Sequence, residues 1–588
     1  MRDCKGLRKL AVSLILLQLA SFAARPGLAP DDLWAWRSVF DPRISPAGDW
    51  VLYVESFSDR DLDRAFSNLW IASTDGRARR ALTQGNWRDW SPRWSPDGAR
   101  VAWISIRQGG PQILVRNRDG GAEQQVVRVG DGISTLAWSP GGDAIAFTAF
   151  APAKAPPPVW APPSIVPRLR RDRQGYIHIF VMPVAGGSAR QVTNGDFDHF
   201  GEPAWMPDGR SILTVRDDGQ IYSVRVADGT SKQLTREDSR NQNPVPSPDG
   251  SRIAWQSSEY KPDIQPVRKV VVSNGDGSRV RILTGALDRD AVDLQWSSDS
   301  RTVYFRADDR GSTHVYAARA DGTVRQVTSA AERLSGFSLA DNGRAAVVRS
   351  TATLFDNVYT FTVDHASQPV ILSDPNEHLM AERELLPSEE IHFPSAGNQV
   401  QGWVIKPAGF DAAKKYPLLL DVHDDPREMC GAGFDPLPRV FAARGLVVLC
   451  VNTRGTSGFG EVFANLLPAR NPGDDFDDLI AGVDSVVSKG YIDDQRVMIM
   501  GGPLAAWTIA HSTRFRAAAV RHPPLPLEGP IRAATLVFAG EHDLAAERLY
   551  AQLRSSKTEA ALVRVGGQES PGESILQLQA ATAWLGRW

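Results

Sequence analysis

The chain has 588 residues, too many for one hydrophobic core, so at least two domains are expected. Hydrophobic residues make up 42% and charged residues 23%, ordinary for a globular protein, and the formal net charge is -2. With no basic excess to neutralise phosphates, nucleic acid is excluded as a partner.

Arg2, Lys5, Arg8 and Lys9 precede an apolar run at 10–20 that is too short to span a bilayer. Small residues follow at Ser21 and Ala23, so 1–23 reads as a secretory signal, with an uncleaved anchor as the alternative. No cysteine follows the run, which argues against a lipoprotein, and no later segment is apolar enough to cross a membrane. The expectation is an exported protein, periplasmic or secreted, without a span once the signal is removed. The mature part keeps Cys430 and Cys450. Export permits a disulfide between them. Two separate thiols, with Cys450 at a buried strand end, is the reading preferred.

A short phrase recurs at 44–53, 94–103, 138–147, 205–214, 246–255, 296–305 and, more weakly, 338–347. Its second copy runs Trp94, Ser95, Pro96, Asp97, Gly98 and then Val101, Ala102, Trp103. Pro-Asp-Gly makes a turn between two strands. Two further strands follow most copies, giving four per unit of roughly 40–50 residues, the signature of propeller blades. One blade cannot bury its faces alone, so seven are expected to close into a ring over 24–380, with the recurring tryptophans in the core. The third unit carries an insert at 151–175, rich in proline and then basic at Arg168, Arg170, Arg171 and Arg173, read as a solvated arm.

Over 381–588 the pattern changes. Strands read at 416–422, 445–451, 497–500, 517–520, 535–539 and 562–565. Helices read at 476–487 (ended by Gly490), 504–512, 544–555 and 574–585. Strands alternating with helices make a doubly wound, mostly parallel sheet. Gly501, Gly502, Pro503, Leu504 and Ala505 stand where a strand turns into a helix, the setting of a G-x-S-x-G nucleophile elbow. Proline occupies the serine position and alanine the last glycine position.

Seven blades followed by this domain resemble the prolyl oligopeptidase family of serine peptidases, above all its dipeptidyl-peptidase and acylaminoacyl-peptidase branches. The most specific passage is Asn452, Arg454, Gly455, Gly458, Phe459 and Gly460, which fits the family's N-x-R-G-S-x-G-[YF]-G except for Thr456. The resemblance implies an all-β seven-bladed propeller followed by an α/β-hydrolase domain, with the propeller screening what reaches the site. It also assigns the catalytic positions. The nucleophile falls on Pro503, the acid on Asp543 and the histidine on Glu569. The family's H-G-G-P oxyanion region becomes His423, Asp424, Asp425, Pro426, with Leu504 after the nucleophile position.

Those positions cannot perform acyl transfer as the family does. Proline has no hydroxyl, and its ring fixes φ near -65°, whereas an elbow holds its nucleophile at positive φ. Asp543 is as well placed to cap the helix at 544–555. Glu569 would be a weak base facing a like charge. Asp424 and Asp425 put negative charge where an oxyanion would form. Only 521–532 separates two strands where the family inserts part of its pocket wall. Ser457 lies in a loop, and His423, His511 and His522 have no assigned role. No metal spacing or phosphate loop is present, so neither metal nor cofactor is expected. The expected function is an exported homologue without peptidase activity that binds a peptide or protein through propeller loops or channel. The alternatives are an active serine hydrolase with relocated residues and an envelope propeller of the TolB type.

Overall fold

The computed structural model describes residues 25–588 apart from 108–109, 129–132, 153–174, 237–238, 260, 262–265, 365–367, 426, 467–472, 525–526, 528 and 567–569. The signal segment, almost all of the 151–175 insert, Pro426 and Glu569 lie outside the described residues.

Seven four-stranded antiparallel blades follow one another at 37–81, 88–128, 136–191, 199–233, 239–282, 292–326 and 333–371. The recurring phrase joins the first two strands of each blade. In its turn a serine hydroxyl donates to the aspartate (Ser247 to Asp249 and Ser297 to Asp299, 2.6 Å each). The same carboxylates accept the backbone N–H two residues on, from Ser251 at 3.0 Å and Arg301 at 3.1 Å. That is why the turn uses Ser and Asp.

The phrase's tryptophan joins one blade to the one before. The indole N–H of Trp94 donates to the Arg43 carbonyl at 2.8 Å, Trp138 to Arg93 at 3.0 Å, Trp205 to Ala137 at 3.3 Å and Trp296 to Val245 at 3.0 Å. These rings are latches between blades rather than a buried core alone; Trp94 and Trp205 are only half-buried. The ring closes without strand exchange. Val39, Val51 and Tyr53 of the first blade pack against Ala346, Val348 and Val358 of the seventh, and Ile44 N–H donates to Ser338 Oγ at 2.9 Å.

Six of the seven inner strands carry a left-handed residue at a bulge: Asp41, Ser91, Gly201, Asn243, Asp293 and Gly336. A bulge bends the strand and re-aims its side chains. Three basic and acidic groups meet there across the channel. Arg93 donates to both oxygens of Glu202 at 2.8 and 2.5 Å and to Asp41 at 3.2 Å, tying the second blade to the fourth and the first.

The C-terminal sheet has eight strands in the order Ser388–Ser395, Asn398–Ile405, Val447–Asn452, Tyr416–Val422, Ile492–Gly501, Ala517–Arg521, Ala534–Ala539 and Ala560–Arg564. The first two pairings are antiparallel and the rest parallel. One face is covered by Asp474–Val487, Pro503–His511 and Leu544–Ser555, through Leu479, Val483, Ile509, Leu549 and Leu553. The other is covered by Pro436–Ala442 and Pro571–Leu585, through Val440, Phe441, Leu578 and Trp584. Helix Pro436–Ala442 is not anticipated by the sequence pattern; Asp435 caps it, accepting from Leu437 N–H at 3.0 Å.

The first described segment packs with this domain and also touches the first and seventh blades, through Asp31 and Trp34 on Arg60 and Trp36 on Phe355. Gly27 bridges Glu384, Leu28 is buried in the cluster containing Phe441 and Leu578, and Asp32 takes two bonds from Arg383, at 2.8 and 2.7 Å. Burying Leu28 alone contributes roughly 2 kcal/mol. The first propeller strand starts at Arg37.

Candidate functional site

A parallel sheet presents its ligand-binding edge at the carboxyl ends of its strands. Here that edge carries Asp421, Val422, His423 and Asp424 after one strand, Gly501 to Pro503 after the next, and Arg521 after the third. Gly501, at φ 150°, packs so tightly on the Val422 carbonyl that a Cβ there would collide with it. Gly502 is the helix N-cap, and a Cβ on it would sit 2.5 Å from Asp424 Oδ1. Pro503 is exposed and forms the first residue of helix Pro503–His511. Its missing N–H is one that a helix start leaves unpaired in any case. Neither Pro503 nor Leu504 has a positive φ. Leu504 lies in the first turn with its side chain against the core.

The other expected positions are separated from it. Asp543 caps Leu544–Ser555, its Oδ1 accepting from Ala546 N–H at 3.0 Å. Glu569 lies outside the described residues. Just after it, Ser570 Oγ and Gly572 N–H donate to Asp63 of the first blade at 2.8 and 2.7 Å, so that loop is docked on the propeller. Among the described residues, none of the three unassigned histidines bonds a hydroxyl. His423 Nδ1 donates to the Asp425 carbonyl at 2.9 Å. His511 Nδ1 donates to the Trp507 carbonyl at 2.9 Å and its ring stacks on that indole. His522 is exposed. Ser457 N–H donates to the Arg427 carbonyl at 3.1 Å, in a turn whose Gly458 carbonyl accepts from Arg310 of the sixth blade.

The two acids of the expected oxyanion region have different surroundings. Asp425 does not face the cavity; its Oδ1 accepts from Arg427 N–H at 2.9 Å and shapes the turn. Asp424 does face it but is paired, taking a 2.7 Å bond from Arg521 Nε. The two acids are therefore not a pair of uncompensated charges. The sequence pattern puts Arg521 in the 521–532 connection and does not signal its pairing with Asp424, 97 positions away.

Around these groups lies a cavity of about 450 Å³ between the domains. Asp421, His423, Asp424, Glu428 and Arg521 face it, together with Arg333 near the sixth and seventh blades. Burial, with Asp435 adding to it, pushes the Asp421 carboxyl up to about 7 against the pull of Arg521. Burial also pulls His423 below its ordinary value. Cys430 and Cys450 both line this cavity and are joined as a disulfide, contrary to the expectation of two thiols. Their Cα atoms are 6.4 Å apart, within bridging range.

The passage at 452–460 proves to be a support for this wall. Asn452 accepts from Cys430 N–H at 2.8 Å and donates to the Cys430 carbonyl at 2.9 Å. Arg454 is buried against Asp478, which it meets through Nε at 2.9 Å and Nη2 at 2.7 Å.

Residues 433–554 match the prolyl oligopeptidase family. The chain is 27% identical to the uncharacterized peptidase YuxL of Bacillus subtilis over 535 residues, 84% of this chain and 81% of that protein. It is 24% identical to dipeptidyl-peptidase 5 of Porphyromonas gingivalis, over 84% of this chain and 78% of that one. In fold it is similar to the acylaminoacyl peptidase of Pyrococcus horikoshii (TM-score 0.78, 17% identity, 95% of this chain and 97% of that one). A puromycin-hydrolyzing peptidase of Mycobacterium tuberculosis is similar as well (TM-score 0.72, 16% identity, 96% of each chain). The blades, the sheet order and this match over 433–554 agree in making the chain similar to the prolyl oligopeptidase family.

Proposed function

We propose that this chain is a member of that family that has lost serine peptidase activity and acts outside the cytoplasm as a binding or scaffolding protein. One observation carries the reading. The residue at the strand-to-helix turn, where the family's pattern puts its nucleophile, is a proline in ordinary helical geometry. It offers no oxygen to attack a carbonyl, and no described histidine is bonded to any other hydroxyl near the sheet edge. Acyl transfer needs both.

What the fold retains is surface for binding. Toward the carboxyl ends of the inner blade strands the channel opens into a cavity of about 820 Å³, lined by Trp138, Trp205, Trp296 and several prolines. A ring of loops around such a cavity suits a peptide or protein segment. The test treats the mature chain with a fluorophosphonate probe and assays aminoacyl and dipeptidyl esters in parallel. Neither a covalent adduct nor turnover is expected. A stoichiometric adduct on Ser457 or any other serine overturns the proposal in favour of a relocated active site.

A further inference from the structure

The Cys430–Cys450 bridge sits at a mechanical junction. Cys450 lies on a central strand of the C-terminal sheet, beside Asp421 in parallel register. Cys430 lies in the loop between Val422 and Pro436, which also seats the propeller. In that loop Ala432 N–H donates to the Gly311 carbonyl of the sixth blade at 2.8 Å, and Gly311 N–H donates to Met429 Sδ at 3.1 Å. Gly431 presses against Gly311 so closely that no side chain fits between them. One covalent bond therefore ties the sheet to the loop on which a blade rests. Both sulfurs face a cavity open to solvent, and both cysteines are only half-buried. A small thiol can reach them.

We propose that Cys430–Cys450 is a thiol–disulfide exchange site for a dithiol reductant, that Asp421 protonates the departing Cys450 sulfur, and that opening it loosens the propeller's seat on the C-terminal domain. The chemistry balances in two steps. A reductant thiolate bonds to Cys430 Sγ, and the electron pair of the broken S–S bond goes to Cys450 Sγ. The Asp421 carboxyl gives that sulfur its proton. The reductant's second thiolate then displaces Cys430, leaving a cyclic disulfide of the reductant and two protein thiols, with Cys430 taking its proton from water. Two electrons pass from the reductant to the protein.

The surroundings suit a proton donor at Asp421. Facing it are Asp435 ahead of helix Pro436–Ala442, Asp424 and Glu428 from the same loop, and Arg521 from the next strand but one. Three acids against one base, in a partly buried cavity, keep the carboxyl protonated close to neutral pH. The same acids oppose a lingering Cys450 thiolate and make its protonation favourable. The proposal stands whether or not the chain hydrolyses peptides.

The experiment uses the full mature protein in mixtures of reduced and oxidised dithiothreitol. Alkylation and mass spectrometry count the thiols, and limited trypsin digestion follows cleavage after Arg427. The expected result is a bridge intact in protein purified without reductant, and Arg427 cleavage about tenfold faster once it is reduced. A variant with both Cys430→Ser and Cys450→Ser should cleave at the fast rate without reductant. For Asp421→Asn, the wild-type reduction rate should exceed the variant's about fivefold near pH 6, and the ratio should fall toward one by about pH 8.5 as Asp421 ionises. Free thiols in the purified protein, cleavage unchanged by reduction, slow cleavage in the double-serine variant, or a ratio independent of pH would each overturn the proposal.

Discussion

Buried charge is handled in opposite ways in the two halves of this protein. In the propeller channel Arg93 is shared between Glu202 and Asp41, Arg43 also pairs with Asp41, and both carboxyls end below their ordinary values: burial pushes each up, but the guanidiniums outweigh it. In the cavity between the domains Arg521 is taken by Asp424, and Asp421 is left among like charges with its carboxyl held up near 7. The first arrangement is a brace, fixed in one protonation state at neutral pH. The second is a group free to exchange a proton. Matched charge thus marks structure, and unmatched charge marks the place where chemistry remains available, even though the elbow beside it offers no nucleophile.

Breaking the brace tests the contrast most severely. Arg93→Ala removes the ion pair of Glu202 and leaves Asp41 with Arg43 alone. The expected loss is about 3 kcal/mol in urea unfolding, the low end for breaking a buried pair, because Glu202 keeps 39% of its side chain exposed. Acid should have the same effect. Depressed carboxyl values give stability that is complete above the unfolded values near pH 4 and is lost as pH falls through the folded ones. A loss under about 1 kcal/mol for Arg93→Ala would mean that the network is ornamental.

The cavity should respond with the opposite sign. Asp421 is raised from 3.8 to about 7, so between those values the folded chain holds a proton that the unfolded chain releases. Stability from this group is therefore greatest at low pH, falls as pH rises through that window, and levels off above about 7. Asp421→Asn removes the dependence. It should flatten the profile and make the protein about 2 kcal/mol more stable above pH 7, after halving for the solvent-open cavity. An unchanged profile in the variant would place Asp421 with the ordinary surface carboxylates.

What the sequence made legible was whatever repeats or alternates. The recurring turn phrase announces the blades, and in five of them its serine and aspartate bond within five residues of each other. Alternation of strand and helix gave the C-terminal domain, and the helices at 503–511, 544–555 and 571–585 lie within a few residues of their expected places. What stayed hidden depends on residues far apart in the chain. Arg93 and Glu202 are 109 positions apart, and Arg521 and Asp424 are 97 apart. No local pattern signals either pair. Nor does sequence reveal that Cys430, in an irregular loop, is folded back onto Cys450. The tryptophans were visible, but their role as inter-blade donors required knowing which carbonyl stands opposite.

The smallest expected effect is the most informative about function. Placing Ser at 503 and His at 569, as Pro503→Ser with Glu569→His, should yield no hydrolysis of aminoacyl or dipeptidyl esters above the uncatalysed rate. Serine at 503 would stand in the first turn of an ordinary helix, without the positive φ that lifts a nucleophile out of the sheet edge. Asp543 would still be engaged with Ala546 N–H as a helix cap rather than aimed at a histidine. Asp424, beside Gly502, would still occupy space that oxyanion donors require. Triad members act as a unit, so two introduced side chains without the turn, the orienting acid and the oxyanion donors do not supply the function in part. Measurable turnover by this double variant would show that the turn adapts to a serine and that the residues at 503 and 569 alone stand between this chain and hydrolysis.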